Sequence, residues 1–181
     1  MRQRFPILKK VFARAHELDV QKRPRTFALI MNSLPDTCKC YHLADIICMN
    51  RYYGWYLMGG YEMCDAEAAF RAEMDRWAEK NLDRPFIFTE YGADTYAAEH
   101  KLPSVMWSQE YQKEYLEMCH RVFDSYDFIR GEQVWNFADF QTTEESCDVN
   151  GNKKGIFSPD RDSPKTQHLF QRPMGKASIR S

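Results

Sequence analysis

No apolar run in this sequence approaches the roughly 20 residues that a membrane-spanning helix needs, so no transmembrane segment is expected. Neither sign of charge dominates: 25 basic residues face 26 acidic ones, for a net charge of −1. That balance gives no electrostatic reason to expect nucleic acid or an anionic membrane as a partner. The first residues are basic but carry no continuous apolar core, so no secretory leader is expected. No Gly-x-Gly-x-x-Gly or Gly-x-x-x-x-Gly-Lys loop follows an apolar run, which leaves a nucleotide site without support. Of six cysteines only Cys38 and Cys40 lie close together, and no second pair stands at zinc-ligand spacing. The expectation is therefore free thiols in a reducing cytoplasm, with no metal and no cofactor.

What the sequence does contain is an ordinary globular balance, 44% hydrophobic and 28% charged, in 181 residues. That length suffices for one domain with a real core. Ten Tyr and four Trp make it rich in side chains that line ring-binding sites.

The apolar spacing alternates between two periods. Leu8, Val11, Phe12, Ala15 and Leu18 fall at helical intervals, which predicts a helix over 5–18 with Pro6 in its first turn. A continuous apolar run over 26–32 predicts a strand buried on both faces. A short helix is expected over 37–44 and a second buried strand over 45–50. Ala66, Phe70, Met74 and Trp77 form one face of a helix over 65–80, with Asp65 and Glu67 complementing its dipole. "PFIFTE" is the third strand. Ser108 is a plausible N-cap for a helix over 108–124, whose inner stripe is Tyr111, Tyr115, Met118 and Val122. "DFIRGEQVWNF" reads as a fourth strand, 138–155 as a polar loop and 165–171 as a short helix. Buried strands alternating with amphipathic helices imply an α/β fold, a parallel sheet covered by helices.

The strand ends carry the exceptions to this apolar pattern. The second ends at Asn50, ahead of "RYYGWY"; the third ends in Thr89-Glu90-Tyr91-Gly92; the fourth ends in Trp135-Asn136-Phe137. In parallel α/β folds all strand C-termini open on one face, where ligands bind. Taken singly, Asn50 reads as a turn residue, Trp135 as core, and Glu90 as a salt-bridge or capping residue. Together they are the same kind of exception at the same topological place. Aromatic rings beside a carboxylate and an amide suit sugars, whose C–H faces stack on rings while their hydroxyls need directional partners. A carbohydrate or acid/base site is the reading these residues support.

Four stretches, "MNRYYGWY", "FTEYGADT", "GEQVWNFADF" and "GNKKGIF", closely resemble the C-terminal half of the catalytic barrel of bacterial β-glucuronidases, in glycoside hydrolase family 2. They occur in the family's order and at similar spacing, over roughly residues 5–172. The resemblance implies strands five to eight of a TIM (β/α)8 barrel, with 1–173 as the partial catalytic domain and 174–181 as a polar tail. It implies that Glu90 is the catalytic nucleophile. By the same resemblance Asn50 and Tyr52, with Tyr56 nearby, line the sugar site, and Trp135 faces it. Asn152 and Lys154 match the Asn-x-Lys motif that recognises the sugar carboxylate. That assignment also makes chemical sense, because telling a glucuronide from a glucoside needs a fixed cation and an N–H donor. The implied substrate is a β-glucuronide or related glycoside, and the implied reaction is retaining hydrolysis. There a second carboxylate about 5–5.5 Å from the nucleophile serves as acid and then base.

The sequence departs from the family at that second carboxylate. The family's acid/base Glu follows an Asn, whereas none of the six Asn here (Asn32, Asn50, Asn81, Asn136, Asn150, Asn152) precedes a Glu. Only four strands are predicted where a barrel has eight. The family's other half-barrel and its β-domains are then the expected partners, and full-length relatives suggest a homo-oligomer. Asp148 stands where family members often carry an Arg and would oppose a carboxylate. Three readings follow: a segment of a glucuronidase inactive alone, a non-catalytic remnant or half-barrel interaction module, and a related glycosidase for a galactoside or galacturonide. A half-barrel leaves unpaired strand edges, so the isolated chain is expected to be weakly stable or to self-associate.

Overall fold

The computed structural model describes residues 4–143, 150–160 and 165. The chain divides into two compact units, Met1–Tyr91 with Met118–Trp135, and Gly92–Glu117 with Asn136–Ser181.

In the first unit, helix α1 (Arg4–Leu18) leads to strand β1 (Ala28–Leu29) and strand β2 (Ile47–Asn50). Two short strands, β3 (Tyr53–Trp55) and β4 (Leu57–Met58), pair with each other as a separate ribbon. Helix α2 (Met63–Glu79), strand β5 (Phe86–Glu90), helix α3 (Gln109–Phe123), whose residues up to Glu117 are assigned to the second unit, and strand β6 (Ile129–Glu132) complete the elements. The main sheet has the order β1-β2-β5-β6, and every pairing in it is parallel. Strand order follows chain order with no reversal, as in a barrel wall and unlike a doubly wound sheet, whose order switches. The expected parallel α/β architecture is therefore present.

The two central strands match the sequence reading because apolar runs buried on both faces are easy to recognise. β2 is buried at all four positions, and Phe86 and Phe88 of β5 are buried with it. Phe88 stacks on Phe123 at 4.2 Å, and Phe70 of α2 meets Phe88 edge-on at 5.6 Å. Trp77 and Phe86 extend this layer at 5.7 Å. All four predicted inward residues of α2, Ala66, Phe70, Met74 and Trp77, are buried. So are Tyr111, Tyr115, Met118 and Val122 of α3, and Ser108 Oγ accepts the Tyr111 amide at 3.2 Å as the expected cap.

The outer elements are shorter than expected. The strand predicted over 26–32 is reduced to Ala28–Leu29, because a turn closing from Ser33 N to Ile30 O ends it. The helix predicted over 37–44 is one 3₁₀ turn, Tyr41–Leu43, ended by the extended backbone of Ala44. The fourth strand covers Ile129–Glu132 rather than 127–137, since β5 is its only strand neighbour among the described residues. Beyond it, Gln133 and Trp135 still donate to Phe88 O and Tyr91 O, but irregularly. The loop expected at 138–155 contains isolated bridges, Phe140 with Asn152 and Ala138 with Phe157. The helix expected at 165–171 lies, apart from Lys165, outside the described residues, as do Asp148 and the tail from 174. No helix among the described residues is long and apolar enough to cross a membrane.

Candidate active site

The C-terminal ends of β2 and β5 form the rim in the first unit. The register between these strands shifts at Met49/Asn50, so that Asn50 stands opposite Glu90. Such an irregularity re-aims side chains at a strand end. The Arg51 amide donates to Glu90 O at 2.9 Å, and Thr89 Oγ1 donates to Asn50 Oδ1 at 2.7 Å. The Tyr52 hydroxyl donates to Glu90 Oε2 at 2.9 Å. Glu90 is half-buried and Tyr52 buried, which keeps the carboxylate both oriented and reachable. The Tyr56 ring lies 4.9 Å from the Tyr52 ring and is 41% exposed, leaving an aromatic surface open. Half-buried Trp135 is tied in through its backbone amide, which donates to Tyr91 O at 2.8 Å. The structure thus joins Asn50, Tyr52 and Glu90 directly, Tyr56 through a ring contact, and Trp135 through the main chain.

Behind this rim is a buried charge network. Arg51 is wholly buried between Asn50 and Tyr52, and its Nη2 lies 2.7 Å from Glu73 Oε1, also wholly buried, on α2. Arg51 also donates to the backbone oxygens of Leu29 (2.7 Å), Asn50 (2.9 Å) and Ser33 (3.0 Å). Glu73 accepts from Tyr53 OH at 2.9 Å and Trp77 Nε1 at 3.0 Å. Burial first, and then the Glu73 charge, raise the Tyr53 hydroxyl well above its ordinary range. One guanidinium therefore fastens the ends of β1 and β2 to α2. The sequence carried a faint signal for this network: Glu73 falls on the apolar stripe of α2, between Phe70 and Trp77.

A second cluster follows the strand. The Tyr91 hydroxyl is 3.3 Å from His120 Nε2, which lies 3.6 Å from Glu132 Oε1. Burial, with a smaller contribution from Glu132, pushes the Tyr91 hydroxyl far above its ordinary value. Tyr91 is therefore a neutral hydrogen-bonding group.

Asn152 and Lys154 belong to the second unit. Asn152 is buried, its backbone bridges Phe140, and its Oδ1 accepts the Lys154 amide at 3.2 Å. Lys154 is 1% exposed, and its Nζ lies 2.6 Å from Asp94 Oδ2. Asp94 Oδ1 accepts the Lys153 amide at 2.8 Å. Lys165 Nζ donates to Lys153 O and Asp139 Oδ1, each at 2.7 Å, and Asp139 Oδ1 also accepts the Gly155 amide at 3.0 Å. Burial lowers the Lys165 ammonium, and Asp139 partly offsets that. A Cβ on Gly155 would come within 2.2 Å of Asp139 N, so only glycine fits that crossing. Gly151 has φ +91° and a similar close approach to Phe140 O, at 2.6 Å. The Asn-x-Lys loop is thus a buried, charge-laced structure rather than a solvated turn. Among the described residues no group of three or more His, Cys, Asp or Glu could hold a metal ion, and the described cysteines are free thiols.

The model of the glycosyl hydrolase family 2 TIM barrel domain matches residues 9–176. A β-glucuronidase of Streptococcus agalactiae is 43% identical over 156 residues, which is 86% of this chain and 26% of that protein. The human β-glucuronidase is 40% identical over 168 residues, 91% of this chain and 25% of that protein. Among solved structures, the β-glucuronidase of Ruminococcus gnavus in complex with D-glucuronic acid is 59% identical, with a TM-score of 0.87. That match covers 91% of this chain and 28% of that one. The chain thus spans about a quarter of the length of the relatives it matches. Parallel strands in barrel order, a carboxylate at a strand end and a family model matching nearly the whole chain agree: the chain belongs to glycoside hydrolase family 2, through that family's TIM-barrel domain.

Proposed function

We propose that this chain supplies the nucleophile and the acidic-sugar recognition of a retaining β-glucuronidase. The observation that supports this most directly is Glu90, half-buried at the end of β5 with Tyr52 OH at 2.9 Å from Oε2. In this reading Glu90 attacks the anomeric carbon, forming a glycosyl-enzyme, and water later hydrolyses it. Asn50, Tyr52, Tyr56 and Trp135 bind the sugar, and Asn152 and Lys154 recognise its carboxylate. Glucuronic acid is bound by the Ruminococcus gnavus relative, which lends support to a glucuronide as substrate. No Asn-Glu pair occurs in the 181 residues, so the acid/base carboxylate comes from the complementary part of the barrel.

The test is hydrolysis of an aryl glucuronide by the chain alone and after addition of a complementary half-barrel bearing that Glu. The expected result is negligible turnover alone, turnover on complementation, and its loss in Glu90→Gln. No turnover under either condition would favour the second reading, a non-catalytic half-barrel module, which the missing Asn-Glu pair motivates. Complemented activity that survives Glu90→Gln would overturn the nucleophile assignment.

A further inference from the structure

Lys154, the residue assigned to the sugar carboxylate, is almost completely buried and already sits 2.6 Å from a wholly buried carboxylate, that of Asp94. A buried lysine without an anion beside it tends to lose its proton, because desolvation disfavours the charged form. A neutral amine would not distinguish a uronate from a neutral sugar. Asp94 removes that difficulty, since an opposite charge at contact distance favours the ammonium. The same carboxylate accepts the Lys153 amide through its other oxygen, at 2.8 Å, so it fixes the loop backbone as well as the lysine head group. Close by, Lys165 pairs with Asp139, and Asp139 also holds the Gly155 amide. Asn152 Oδ1 accepts the Lys154 amide and completes the frame. The Asp94–Lys154 pair is neutral as a whole. It attracts no anion from a distance, and an incoming carboxylate gains only if it meets the ammonium in the right geometry.

We propose that Asp94 is a positioning residue for Lys154, keeping its buried ammonium charged and aimed so that it can read a sugar carboxylate. This inference rests on the acidic-sugar reading of Lys154 given above.

The test uses the full chain with ¹³Cε-labelled lysine, the Lys154 signal being identified by its loss in Lys154→Met. Its titration is followed between about pH 6 and 11 in the wild type, Asp94→Asn and Asp94→Glu, with D-glucuronate or D-glucose added in parallel. In the wild type the Lys154 midpoint is set by two opposed effects, burial lowering it and the Asp94 charge raising it. Asp94→Asn should lower that midpoint by at least about 2 pH units, as expected for a buried amine stripped of its anion. Glucuronate, but not glucose, should move the wild-type signal, and its affinity about one pH unit above the Asp94→Asn midpoint should be about tenfold lower in that variant than in the wild type. An unchanged Lys154 midpoint in Asp94→Asn overturns the inference while leaving the acidic-sugar reading intact. A wild-type signal that ignores glucuronate overturns that reading, and the role of Asp94 with it. Should Asp94→Asn fail to fold, Asp94→Glu decides. It keeps the charge but shifts it by a methylene, so glucuronate affinity equal to wild type overturns the inference and a weakened affinity supports it.

Discussion

At the scale of single residues, the buried charges are the part of this chain least replaceable by packing. Arg51 and Glu73 are both fully buried and satisfy each other together with three backbone oxygens, a phenol and an indole. Removing one partner of such a pair leaves an uncompensated buried charge, which typically costs about 3–5 kcal/mol, whereas replacing both with apolar groups often costs far less. Glu73→Leu is therefore expected to lower unfolding free energy by about 3–5 kcal/mol, and Arg51→Met with Glu73→Leu to recover much of it. Urea denaturation of the three proteins checks this. Equal loss in the single and double variants would show that the pair itself stabilises the fold. Because Arg51 lies between Asn50 and Tyr52, the single variant should also loosen the Tyr52–Glu90 contact.

At the scale of elements, β1 and β2 are short strands held at their entry by a clamp. Arg25 N and Nε donate to Asp45 Oδ2 at 2.8 and 2.9 Å, Arg25 Nη2 reaches Asp45 Oδ1 at 3.1 Å, and Asp45 N donates to Arg25 O at 2.8 Å. The Arg25 side chain first, and its backbone amide second, hold the Asp45 carboxyl down at about 2. A folded-state value below the unfolded one of about 3.9 means stability that is present above pH 4 and lost as pH falls through about 2. The urea midpoint of the wild type should fall between pH 4 and 2 more steeply than that of Asp45→Asn, and parallel slopes would refute the clamp. The same scale shows why some elements were legible in the sequence and others were not. "IICMN" and "FIFTE" lie in central strands with neighbours on both sides, so their apolar runs and their pairing agree. The runs around β1 and β6 promised longer strands than a single neighbour sustains, and turn bonds took over their ends. The β3–β4 ribbon was missed because the Tyr-rich stretch that forms it has no strand period.

At the scale of the whole chain, the sheet ends at β1 on one side and β6 on the other, among the described residues. Each of these outer strands presents backbone donors and acceptors without a strand partner, the condition that invites pairing with another chain. On α1, Ile7, Val11 and Leu18 repeat at helical spacing and are 64%, 55% and 63% exposed, an apolar stripe where a surface helix would be polar. The isolated chain is expected to self-associate, or to unfold with low cooperativity when dilute. Sedimentation across a concentration series, paired with thermal unfolding, checks this. A dilute monomer with a sharp cooperative transition would refute it.

The sequence by itself determined the alternation of buried strands and amphipathic helices, the inward faces of α2 and α3, and the motifs that tie the chain to its family. Each of these is local, written in spacing over a few residues or in short stretches that fold in place. Tertiary structure alone decided which charges meet. Arg51 with Glu73 across 22 positions, Tyr52 with Glu90 across 38, and Lys154 with Asp94 are pairs that no periodicity encodes. Such pairs form because a buried ion must find a counter-charge wherever the packed elements bring one, and that place exists only once the strands and helices have assembled.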